Sequence, residues 1–151
     1  MASPYFCAMF WYFSIFFNAF LSATLIPLGS ELTLLVAFNY ADAPLMLCLV
    51  ASVGNTLGGL TNFFLGHFAK WDWITRYLRV KRTKIDALSQ RFQAYGSWPA
   101  LLCWLPVIGD PLAIVLGFTR QSWIKVTGLM WLGKLLRYLV LWYVWKLGHL
   151  T

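Results

Sequence analysis

The stretch Cys103-Trp-Leu-Pro-Val-Ile-Gly-Asp-Pro-Leu-Ala-Ile-Val-Leu-Gly117 constrains this chain most, because one carboxylate and two prolines interrupt an otherwise apolar run. An acid at the centre of a membrane helix costs about 2.5 to 3.5 kcal/mol even on insertion scales, so Asp110 must face protein, water or substrate rather than lipid. Pro106 and Pro111 each remove a backbone donor, and with Gly109 between them a straight helix is not expected here. Irregular backbone at membrane depth survives only where it is packed inside protein or lines a wet cavity. The segment therefore predicts a broken hairpin at a binding site or pathway.

A second stretch has the same plan. Pro27-Leu-Gly-Ser-Glu31 places a proline, then Gly29, then an acid ahead of the apolar run Leu32-Thr-Leu-Leu-Val-Ala-Phe38. An offset of 79 residues carries Pro27 onto Pro106, Glu31 onto Asp110, Gly54 onto Gly133 and Asn55 onto Lys134. Four coincidences in one register suggest a duplicated unit made of a broken hairpin followed by a spanning helix.

Composition says what surrounds these hairpins. With 60% hydrophobic and only 11% charged residues in 151, the chain carries more apolar side chain than a small soluble globule can bury. It reads as an all-α integral membrane protein. Its nine tryptophans and seven tyrosines suit membrane–water interfaces, although some will be packing. The net charge of +7 gathers beside apolar spans, where topology and anionic headgroups use it, so nucleic acid is not an expected partner. Cys7, Cys48 and Cys103 lie in apolar runs without metal-ligand spacing and read as small buried hydrophobes. No disulfide, metal or cofactor is expected.

Taken in order, the expected elements are about three transmembrane helices plus two re-entrant hairpins. Tyr5 to about Ser22 is a first span whose one strongly polar side chain is Asn18. Ala23 to about Asn39 holds the first hairpin, with Pro27 and Gly29 as its break. Asp42 is placed to cap the next helix, with Pro44 near its first turn. Leu45 to Phe68 is the second span, where Gly54, Gly58, Asn62 and Gly66 recur every four residues. Small residues at that spacing let helices approach closely, and a packing seam is the simplest reading of the glycines. Asn55 and Asn62 need partners inside a span. His67, at the helix end, reads as an interfacial residue.

Lys70 to Arg91 is the one extended polar segment, rich in Lys and Arg interleaved with Trp71, Trp73 and Tyr77, and positive loops stay cytoplasmic. Part of it suits an amphipathic helix on the anionic leaflet, and a solvated loop fits equally well. Tyr95 to Gly117 forms the second hairpin, broken around Pro106, Gly109 and Pro111. Trp123 to Leu147 is the last span, with Lys134 and Arg137 three residues apart on one face at its middle. Mid-span cations need partners, and Glu31 and Asp110 are the acids at comparable depth. Counting crossings makes the two hairpins enter from opposite faces, the geometry of an inverted-topology repeat. The whole of residues 1–151 then reads as one membrane domain, with repeats at about 20–69 and 95–148 joined by a cytoplasmic loop at about 70–94.

The composite of Pro27-x-Gly-x-Glu31, Gly54-Asn-x-Leu-Gly-Gly59, Pro106-x-x-Gly-Asp110-Pro and Gly133-Lys-x-x-Arg137-Tyr resembles the DedA family of bacterial inner-membrane proteins, also known for its VTT domain. The likeness is to its short YqaA-like members and covers about Phe20 to Tyr138. It implies a transport fold with two re-entrant hairpins. Some longer members are linked to recycling the undecaprenyl-phosphate carrier and to maintaining proton motive force. Longer members have an acid where this chain has Asn55, and arginines in the second hairpin where it has Trp104, Gly109 and Asp110. Glu31 carries over, whereas an arginine clamp in the second hairpin does not.

These residues suggest a secondary transporter or lipid flippase. Glu31 and Asp110 are the candidates for proton or cation coupling, and Lys134, Arg137 and Asn55 for holding an anionic substrate. The alternative is a non-transporting assembly or stress-response factor whose buried charges only specify packing. An enzyme is not expected, since the chain has no Ser/His pair, HExxH motif or paired catalytic aspartates on spanning helices. The expected partners are membrane lipids, an anionic lipid-linked substrate and, in a homo-oligomer, further copies of the chain.

The charge asymmetry fixes a topology that labelling can check. In a cysteine-free background, Arg82→Cys and Arg120→Cys should be shielded from an impermeant thiol reagent outside whole cells, while Asp42→Cys should react. Modification of Arg82→Cys from outside would overturn this orientation.

Overall fold

A computed structural model describes residues 4–23, 29–40, 43–68, 90, 95–105 and 108–149. Among these residues the chain forms helices and no strand. Pro27, Asp42, Pro106 and the basic segment at 70–89 and 91–94 lie outside the described residues.

Helix α1 (Pro4–Ser22) and helix α3 (Pro44–Phe68) both open on proline, where the missing N–H costs nothing because the first turn has no intrahelical acceptor for it. Between them runs the short α2 (Gly29–Ala37), which Asn39 closes by donating from Nδ2 to the Leu35 carbonyl at 3.0 Å. A 3-10 helix (Trp98–Trp104) comes next and stops at Leu105, extended at φ −66° and ψ 130°. The cause is local: the ring of a following proline disfavours the helical region for the residue before it. Helix α4 (Gly109–Phe118) then begins, with Asp110 and Pro111 inside its first turn. The sequence placed a break at Pro111 as well, but that proline starts the new helix, where its lost donor is harmless.

Helix α4 ends at a turn in which Arg120 takes φ 54°. The Arg120 N–H donates to the Gly117 carbonyl at 3.0 Å and the Gln121 N–H to the Leu116 carbonyl at 3.3 Å, so the last carbonyls of α4 are satisfied as the chain reverses. Helix α5 (Trp123–Gly148) follows, with 26 residues and a length of about 39 Å. The same 79-residue offset carries Pro44–Phe68 onto 123–147, one residue short of the full α5. It also carries the start of α2 to within one residue of the start of α4. The 79-residue offset thus relates element boundaries as well as single residues.

Among the described residues, α3 is the helix long and apolar enough to cross a membrane by length and composition. Helix α5 has the length but carries Lys125, Lys134, Arg137 and Lys146. Its outer face is nonetheless apolar, since Leu132, Leu136, Val140, Val144 and Leu147 are all exposed. Met9, Phe13 and Phe17 on α1 and Val53, Leu57 and Phe64 on α3 are exposed in the same way. Contiguous apolar faces of this kind suit a lipid surround.

The chain divides into two compact units, residues 1–58 with 134–151, and residues 59–133. The first packs around Ile15, Ala19, Leu34, Leu47, Cys48 and Tyr138, and the second around Phe63, Ala100, Cys103, Leu112, Leu116, Val126 and Met130. Cys48 and Cys103 are buried, and the Cys7 side chain lies outside the described set. Glycines set the approach of helices within each unit. A Cβ on Gly54 would meet the Phe16 carbonyl, and one on Gly58 would lie 2.5 Å from the Phe20 oxygen and 2.7 Å from Ala23 Cβ. In the second unit a Cβ on Gly66 would collide with the Ile114 carbonyl and one on Gly117 with the Phe63 carbonyl, a reciprocal crossing of α3 and α4.

Gly128, by contrast, has open space where a Cβ would go. Gly66→Ala and Gly117→Ala should each lower stability by about 1–3 kcal/mol, because backbone and not a flexible side chain must move. Gly128→Ala should be neutral or stabilising by up to about 1 kcal/mol. Thermal unfolding of the purified protein in one detergent should rank the variants in that order.

Candidate functional site

Helix α5 brings Lys134, Arg137 and Tyr138 to its inner side, since residues three and four apart share a face. Lys134 is 4% exposed and Tyr138 1%, while Arg137 and Glu31 retain 17% and 26% of their side-chain exposure. The cluster therefore has a closed end and a reachable end, both within the first unit.

At the reachable end, Arg137 Nε donates to Glu31 Oε1 at 2.6 Å, and Arg137 Nη2 bonds the same oxygen. Glu31 sits in the first turn of α2, where unpaired backbone N–H groups and the helix dipole favour an acid. Gly29 and Ser30 immediately before it have little bulk. At the closed end, Lys134 Nζ donates to the backbone oxygen of Asn55 at 2.5 Å and to its Oδ1 at 2.6 Å. Asn55 Nδ2 in turn donates to Tyr138 Oη at 2.6 Å, and Tyr138 Oη donates to Ser30 Oγ at 3.2 Å. One hydrogen-bonded path thus runs from Lys134 through Asn55 and Tyr138 to the residue beside Glu31.

Four of the sequence-derived candidates, Glu31, Asn55, Lys134 and Arg137, meet in this cluster. Asn55 uses both ends of its carboxamide on Lys134 and Tyr138, so it positions its neighbours. Asp110 belongs to the second unit, half-buried in the first turn of α4, the place that Glu31 holds in α2. His67 is packed against the rings of Phe63 and Phe68, at 6.2 Å and 5.2 Å between centroids. Tyr138 and Ser30 were not named as site residues from sequence. The four-residue step from Lys134 to Tyr138 was the available signal for the first, and Ser30 gave none beyond its place next to Glu31. Asn18, whose Oδ1 is buried without a hydrogen bond, lies 3.9 Å from where a Cβ on Gly29 would stand, beside the start of α2.

These features define a helical membrane protein with a polar cluster enclosed by apolar helices. The VTT domain matches residues 26–147, and the chain belongs to this family, the DedA family. It is 40% identical over 127 residues to the inner membrane protein YqaA of Escherichia coli, an alignment covering 83% of this chain and 84% of that one. It is 32% identical over 149 residues to an uncharacterized protein of Haemophilus influenzae, covering 91% of each. No solved structure matches. The chain is an inner-membrane protein.

Tyr138→Phe removes one hydroxyl and leaves Asn55 Nδ2 and Ser30 Oγ without it in a buried setting. A stability loss of about 1–3 kcal/mol is expected, the usual cost of stranding buried polar groups. Tyr143→Phe, at an exposed position of the same helix, should change thermal unfolding little.

Proposed function

We propose that this protein is a secondary transporter or lipid flippase of the inner membrane, coupled to protons or a cation and moving an anionic substrate such as a polyprenyl phosphate or a phospholipid. The observation that carries the reading is the part-exposed Glu31–Arg137 pair at the open end of a buried polar path. A purely structural pair has no need of access. Protonating Glu31, or giving its carboxylate to a cation, frees the Arg137 guanidinium, whose planar fork suits phosphate oxygens. Lys134, fixed by Asn55, supplies a second positive charge for the same anion. Asp110, at the matching place in α4, is the second coupling acid.

In this reading the two broken elements enter the membrane from opposite faces as an inverted repeat, with the basic loop at about 70–91 in the cytoplasm. The contact between Asn55 and Lys134, which the 79-residue offset makes equivalent, supports α3 and α5 lying about an approximate two-fold. The protein carries out no bond-making chemistry. A second reading, an assembly or stress-response factor with structural charges, draws on the closed hydrogen bonding of Asn55 and Tyr138.

Reconstitution separates the two readings. Glu31→Gln preserves size and most hydrogen bonding, so it should reach the membrane in normal amount and still lose gradient-driven flux of a fluorescent polyprenyl phosphate or phospholipid in proteoliposomes. If the pair is only structural, Glu31→Gln combined with Arg137→Gln removes both charges and should restore what either change breaks. Flux in that double variant at the unmodified level would refute coupling through Glu31.

A further inference from the structure

The second unit contains an open cleft of about 850 Å³ between the start of the 3-10 helix and the first two turns of α5. Its lining is of two kinds. Its polar lining residues include Ser97, Gln121, Ser122 and Lys125, with Ser97 Oγ donating to Gln121 Oε1 at 3.4 Å. Its apolar lining residues include Trp98, Ile124 and Leu129. Among the described residues no acid lines the cleft and no ion pair involves Lys125. The cleft also adjoins the N-terminal turn of a 26-residue helix, whose first N–H groups lack intrahelical acceptors and whose dipole is positive there.

Depth narrows the occupant. Lys125 precedes Arg137 by twelve residues on α5, about 18 Å along the axis, while half the hydrocarbon core is about 15 Å. If the ion pair lies near the midplane, Lys125 lies at the headgroup layer. We infer that this cleft holds one anionic phospholipid, its phosphate on Lys125 and the start of α5, its glycerol and upper acyl chains along Trp98, Ile124 and Leu129. A free phosphate would gain nothing from the apolar wall, and a zwitterionic lipid brings its own cation to a site that already has one. The site is separate from the polar cluster of the first unit. It rests on α5 crossing the membrane, as in the proposed transport reading, and not on that cluster carrying substrate.

Native mass spectrometry of the purified protein with equal phosphatidylglycerol and phosphatidylcholine provides the test. One phosphatidylglycerol should be retained in preference. Lys125→Gln should weaken that retention roughly fivefold, the effect of one lysine at an anionic headgroup. Gly128→Leu should abolish it by filling the cleft, and the fold should tolerate it because a Cβ at Gly128 meets nothing. Glu31→Gln should leave the adduct in place. Equal retention of both lipids, an adduct unchanged in both cleft variants, or displacement by millimolar inorganic phosphate would each overturn the proposal. Loss of the adduct in Glu31→Gln would also overturn it, by moving the lipid to the polar cluster while leaving the transport reading intact.

Discussion

A charge enclosed by apolar helices must be matched by a partner, and in this protein the match between Glu31 and Arg137 organises its surroundings. The pair joins the first turn of α2 to the middle of α5, residues 106 positions apart, so α2 cannot shift along α5 without stranding a charge. Stranding one member of a buried pair costs about 3–5 kcal/mol, more than most single packing contacts supply. The partial exposure of this pair reduces that cost and gives solvent or a ligand a way in. The same interaction is therefore both a structural register and a part-exposed polar contact of the first unit.

Backbone proximity makes such a pair reachable. Helices that approach over Gly54 and Gly58 place the Phe16 and Phe20 carbonyls where side-chain carbons would otherwise stand. Close approach of this kind fixes α1 against α3, the helix that carries Asn55. The exposed faces show the opposite chemistry, with Leu132, Leu136 and Val140 pointing away from the cluster on α5. In a soluble protein these faces would be the core. Here apolar residues are found both in the buried cores and on the outer faces, so hydrophobic periodicity alone does not tell a helix's buried side from its exposed one.

Much of this was legible in the sequence because membranes make polar residues conspicuous. Glu31, Asn55, Lys134 and Arg137 stood out as polar interruptions of apolar runs, and the structure brings them together. The apolar runs from Leu45 to Phe68 and from Trp123 to Leu147 gave the extents of α3 and α5 to within one residue. What escaped was chemistry carried by residues that also pack well. Tyr138 reads as one more aromatic in an aromatic-rich helix, and only the three-dimensional contacts show its hydroxyl linking Asn55 to Ser30. Pro111 misled for a related reason, since a proline looks the same in sequence whether it ends one helix or starts the next. The 3-10 geometry of Trp98–Trp104 had no sequence signal distinct from an ordinary apolar helix.

Asn55 and Lys134, which the 79-residue offset relates, touch each other, so identical residues at the two positions would make a poor contact. Two lysines would place like charges together, and two asparagines would leave no cation at that point. An amide at position 55 adds its Oδ1, at 2.6 Å from Lys134 Nζ, to the backbone oxygen that any residue there would offer. It does so without the neutralising charge that an acid at position 55 would bring. In this chain the contact that holds Lys134 in place is made by an amide rather than a carboxylate.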